Sequence, residues 1–66
     1  MNKDQIQGRY EKLKGRMKQT WGRLTDDDLA LFQGQEEEFY GRLQEKYGLA
    51  RQAAEKLIKE MEREAA

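Results

Sequence analysis

The chain contains no cysteine, histidine, serine, valine or proline. Without cysteine there is no disulfide to support a small fold and no thiolate to serve as nucleophile. Without histidine the commonest general base and metal ligand is missing. The two absences together leave zinc and most transition-metal sites without their usual donors. The only threonines are Thr20 and Thr25, so alcohol nucleophiles are scarce as well. Ile6 and Ile58 are the only β-branched apolar residues, which makes strands poor candidates. The opening residues, Met1-Asn2-Lys3-Asp4-Gln5, form no apolar signal core. No segment approaches the ~18 apolar residues of a membrane span. The expectation is a soluble, cytoplasmic chain that is not exported and takes no membrane partner.

Large aliphatics are sparse too. Leu, Ile, Val and Phe together make 11 of the 66 residues. That share suits disorder when net charge is large. Here 13 basic residues balance 13 acidic ones, and the apolar residues recur with helical period. The chain therefore reads as one folded domain over residues 1–66, with a limited core and marginal stability.

Its organising stretch is Trp21-Gly22-Arg23-Leu24-Thr25-Asp26-Asp27-Asp28-Leu29. Thr25 and Asp28 stand at capping-box spacing, where each side chain bonds the other's backbone N–H. Asp26, Asp27 and Asp28 fill a first turn, where negative charge meets the positive end of the helix dipole. Gly22 stands where a left-handed residue would close the preceding helix. Trp21, Gly22, Thr25 and Asp28 thus mark a structural junction between two helices.

Upstream, Ile6, Tyr10, Leu13, Met17, Trp21 and Leu24 fall on one stripe about 80° wide, predicting a helix over residues 4–22. A second helix is expected over residues 26–33. It is apolar nearly all round through Leu29, Ala30, Leu31 and Phe32, hence buried, and Gly34 ends it. A third, over residues 36–47, opens on Glu36, Glu37 and Glu38. It carries Phe39, Tyr40, Leu43 and Tyr47 as its stripe, with Gly48 as its cap and Leu49 as the accompanying apolar contact. A fourth, over residues 50–64, has Ala50, Ala54, Leu57, Ile58, Met61 and Ala65 inward. Its outer face offers pairs of Arg51 with Glu55, Glu55 with Lys59, and Lys56 with Glu60. The fold class is all-α: four short helices packed as two helical hairpins.

An internal echo supports the pairing. Residues 15–22 read G-R-M-K-Q-T-W-G and residues 41–48 read G-R-L-Q-E-K-Y-G. Each is Gly-Arg-aliphatic, three polar residues, aromatic-Gly, at the end of a helix that another follows. Two similar hairpins would produce this, and so would two helix ends solving one capping problem alike.

The run K-G-R-M-K-Q-T-W-G-R-L-T-D-D-D-L (14–29), then Gly34, then G-R-L-Q-E-K-Y-G (41–48) and A-A-E-K (53–56), resembles the CsbD-like family of small bacterial general stress-response proteins. The likeness covers about residues 1–60. It implies two packed helical hairpins in a small bundle similar to a SAM domain, and expression under general stress. It implies no molecular activity, so no catalytic or binding residue is carried over. The C-terminal residues 61–66 lack the aromatics some relatives carry, which leaves the last helix fewer anchors.

Catalysis would need paired groups with separated pKa values in a cleft. The carboxylates cluster instead at two helix starts, where capping and dipole roles account for them. A hard-cation site at Asp26, Asp27 and Asp28 lacks the spaced ligands and glycine of a calcium loop. The chain reads as a non-enzyme with no cofactor, no metal and no small-molecule substrate.

Two surface features remain. Charge is segregated: residues 1–24 carry net +5, residues 25–41 net −6 and residues 42–66 net +1. Arg9, Lys12, Arg16 and Arg23 lie within about 60° of one another on the first helix. They form either a phosphate-binding footprint for nucleic acid or a solvated face that the acidic segments fold back to compensate. Zero net charge favours the second reading. Gly8, Gly15 and Gly22 recur every seven residues opposite the apolar stripe. Gly22 is accounted for as a cap. Gly8 and Gly15 each cost about 0.8–1.0 kcal/mol relative to Ala. They are either tolerated on a solvent face or admit close approach by a protein partner or a second copy. The function expected is that of a small hydrophilic stress-response protein that binds or shields a partner, with nucleic-acid association through the basic face as the alternative.

Overall fold

The computed structural model describes residues 3–65 and folds them into four helices with no strand among the described residues. These are α1 (Lys3–Thr20), α2 (Asp26–Ala30), α3 (Glu36–Tyr47) and α4 (Arg51–Ala65). Helix α1 turns Leu13 and Met17 inward, and the stripe continues past its end through the buried Trp21 and Leu24. Tyr10 is half-buried. The side chain of Ile6, expected on this stripe, lies outside the described residues.

The first junction differs from expectation at Gly22. Helix α1 stops at Thr20, and positive φ occurs among the described residues only at Gly34 (96°) and Gly48 (64°). The Trp21 N–H still donates to Met17 O at 2.7 Å, and the Leu24 N–H donates to Trp21 O at 3.0 Å. A turn over Gly22 and Arg23 therefore closes the helix and returns Leu24 to the core with no left-handed residue.

The capping box forms as expected. The Asp28 N–H donates to Thr25 Oγ1 at 3.1 Å, and the Thr25 N–H donates to Asp28 Oδ2 at 3.0 Å. Helix α2 is shorter than its apolar run. Beyond Ala30 the N–H groups of Leu31, Phe32 and Gln33 donate to the carbonyls of Asp28, Leu29 and Ala30 at 3.1–3.3 Å. This is the tighter three-residue spacing, which winds the chain into Gly34. Leu29 is fully buried, Leu31 and Phe32 are half-buried and Ala30 is exposed.

Helix α3 ends as expected. Gly48 is left-handed, its N–H donates to Gln44 O at 2.8 Å, and Leu49 packs against the core. Tyr47 is a correction: it lies on the α3 surface, 36% exposed, outside the buried stripe of Phe39, Tyr40 and Leu43. In α4, Ala54, Ile58, Met61 and Ala65 are buried, while Ala50 precedes the helix and is exposed.

The most extensive helix contact joins α1 to α4, followed by α3 with α4. Helix α4 therefore draws the two hairpins together. Phe39, Met17, Leu29 and Leu43 fill the centre. Phe39 meets Phe32 and Tyr40 edge to face, with ring centroids 5.2 and 5.4 Å away.

Candidate functional site

The polar focus of the molecule is the α1–α2 junction where it docks on the C-terminal end of α3. Asp28 is only 6% exposed and is the buried charged residue of the described chain. Besides the Thr25 N–H, its Oδ2 accepts from Lys46 Nζ at 2.5 Å, and Oδ1 lies 3.7 Å from Arg42 Nε. Arg42 and Lys46 are four residues apart, so α3 presents both cations on one face. The Lys46 hydrogen bond, followed by the Thr25 N–H, holds the Asp28 carboxyl below the usual carboxylate range. A buried carboxylate with three donors or cations around it is stable as an anion and poorly suited to take up a proton at neutral pH.

Arg23 completes the clasp. Its N–H donates to Tyr47 Oη at 2.7 Å, its Nη1 donates to Lys46 O at 3.2 Å, and its carbonyl accepts from Lys46 Nζ at 3.1 Å. Its guanidinium also lies 5.8 Å from the centre of the Tyr47 ring. The second echoed helix end therefore binds the residue that follows the first: Lys46 and Tyr47 both hold Arg23. The Arg23 guanidinium meets the Lys46 carbonyl in the last turn of α3, where a cation is favoured by the helix dipole.

The expected basic face is divided by these contacts. Arg16 pairs with Glu64 of α4, and Arg23 is committed to α3. Lys18 pairs with Asp26 at 2.9 Å, a contact that lowers the Asp26 pKa. Arg9 and Lys12 are exposed and make no ion pair among the described residues. Gly8 and Gly15 also face solvent, and a Cβ built on either meets no atom within 4 Å. Trp21 is buried and Gly22 exposed at the junction. Sequence reasoning thus assembled Thr25 and Asp28 but missed Arg42, Lys46 and Tyr47. The spacing of Arg42 and Lys46 was visible. Nothing local pointed them at Asp28, whose capping role already accounted for it.

Among the described residues no three Asp or Glu side chains converge as a metal site, and no helix is long and apolar enough to cross a membrane.

The clasp residues all lie inside the segment that matches a known family. A family model described as CsbD-like matches residues 4–56. A UPF0337 protein of Pectobacterium atrosepticum is 48% identical over 62 residues, covering 94% of this chain and 90% of that protein. A UPF0337 protein of Protochlamydia amoebophila is 47% identical, covering 94% of each. The UPF0337 protein YjbJ of Escherichia coli K12 is 40% identical, covering 94% of this chain and 90% of that protein. No solved structure matches the chain significantly. With its family model spanning most of the sequence and relatives aligned nearly end to end, the chain belongs to the CsbD-like family.

Proposed function

We propose that the chain acts without catalysis, as a small hydrophilic stress-response protein that binds or shields a protein partner. One observation supports this most: the buried charge of the molecule, Asp28, is consumed by Thr25, Lys46 and Arg42. The polar chemistry of the interior holds helices together, and what is left to act is surface. The link to stress follows from the family likeness. The nucleic-acid reading is weakened because Arg16 and Arg23, half of the basic face, are engaged on the surface by Glu64 and by the end of α3.

Complementation tests the proposal. A bacterium lacking its own CsbD-like gene receives this chain and is scored for survival under starvation and osmotic stress. Restored survival, with a crosslinked protein that persists after nuclease treatment, is the expected outcome. No rescue overturns it. Retention abolished by nuclease also overturns it, and returns function to Arg9 and Lys12 as phosphate contacts.

A further inference from the structure

Two open grooves meet where the α2–α3 turn and the start of α3 lie against α4, and they share Glu36. One has a floor of Phe32, Tyr40 and Ile58 and a volume of about 220 Å³. That matches one or two side chains, whereas the other groove, about 590 Å³, is lined by Gly34, Gln35, three glutamates and Arg51 and lacks the apolar side chains of a small-molecule pocket. The rims carry five carboxylates, Glu36, Glu37, Glu38, Glu55 and Glu62, against two cations, Arg51 and Lys59. The net charge of this face is therefore −3.

A cation of the chain itself already occupies the aromatic part of this face. The Arg51 guanidinium lies 4.6 Å from the Tyr40 ring centre, with Glu55 at 2.8 Å and Glu36 at 3.6 Å. An aromatic ring flanked by carboxylates is a favourable seat for a cation. Glu37, Glu38 and Glu62 are exposed and make no ion pair among the described residues. The Tyr40 phenol is pushed up, first by burial and then by Glu55 and Glu36, in keeping with a negative field.

We propose that this face docks a cationic segment of a partner protein, with one apolar side chain over Phe32 and its Lys or Arg groups among Glu37, Glu38 and Glu62. The inference rests on the partner-binding reading above and adds the surface and the partner's chemistry. A second copy is a poor occupant. The outer face of α1 has the charges of Arg9 and Lys12, but its neighbouring Gly8 and Gly15 give no apolar side chain to fill the groove.

The test is a titration followed by NMR, with a synthetic helical peptide of leucine and lysine as probe and its glutamate-for-lysine version as control. Saturable shifts confined to this face are expected with the cationic peptide and weaken with added salt. Glu37→Lys combined with Glu62→Lys replaces exposed side chains, keeps the fold and weakens binding by about tenfold. Absent shifts, equal shifts with the anionic peptide, or undiminished binding by the charge-reversed variant overturn the proposal. Concentration-dependent shifts of the same residues without peptide assign the face to a second copy and also overturn it. Any of these, with stress survival still rescued, removes the surface and leaves the function standing.

Discussion

Asp28 and Lys46, 18 residues apart in the chain, meet at 2.5 Å and fasten the start of α2 to the end of α3. The same Asp28 oxygen accepts from the Thr25 N–H, so helix cap and tertiary clasp share one carboxylate. Thr25→Ala removes the hydroxyl that accepts from the Asp28 N–H and leaves the backbone and Lys46 bonds to the carboxylate in place. A loss of about 1 kcal/mol is expected. Urea melts of wild type and variant check it, and identical midpoints would contradict a capped junction.

Acid should act through the same group. The folded Asp28 pKa lies below its unfolded value of about 3.9, so its contribution is complete above that pH and is lost as pH falls through the lowered folded value. Wild type should exceed Asp28→Asn in stability at pH 7, and the gap should close only below about pH 4. Asp26 is also lowered, by Lys18, but both side chains are solvent-exposed. Asp26→Asn should therefore show little gap at any pH. Denaturant melts across the acid range separate the two.

Tyr47→Phe removes the acceptor of the Arg23 N–H and keeps the ring. The site is open enough for water to replace the phenol, so the cost is expected to be modest, about 0.5–1 kcal/mol. Amide exchange at Arg23 should quicken more than at Leu13 or Met17. Equal protection in both proteins would show that the phenol does not hold the turn.

The glycines divide by backbone conformation. Gly15 lies inside α1 with open space at its missing Cβ, so Gly15→Ala should stabilise the protein by about 0.4–1 kcal/mol. Gly8→Ala should follow in direction. Gly48 is left-handed at φ 64°, and Gly48→Ala should cost about 1–2 kcal/mol despite equally open space. Thermal melts of the three variants test this. A loss of stability in Gly15→Ala would place a packed neighbour against the outer face of α1.

The four helices were legible because periodicity and caps are local. The α2 start, the Gly48 stop and the inward stripes of α1, α3 and α4 each need only a few adjacent residues, whereas the α2 end falls at Ala30, short of Gly34. Gly22 was misread because a glycine after a helix fits two closures, and only the return of Leu24 to the core decides between them. Tyr47 was misread for a related reason. Its spacing continues the stripe, but the phenol is held outside by an N–H that belongs to another hairpin. The clasp itself was half legible. Thr25 and Asp28 are three residues apart, whereas Arg42, Lys46 and Tyr47 reach them only through tertiary structure. The commitments of Arg16 and Arg23 were hidden for the same cause, since their partners are distant in sequence.

The central claim is that the motif-bearing junction is a structural clasp between the α1–α2 turn and α3. A double-mutant cycle on Asp28 and Lys46 measures it, using Asp28→Asn, Lys46→Met and both together in urea-induced unfolding at neutral pH. Each single variant should lose stability, and the pair should lose less than the sum, with a coupling of about 1–2 kcal/mol. A coupling within the additive limit of about 0.3–0.5 kcal/mol would mean that the two side chains do not hold the helices together.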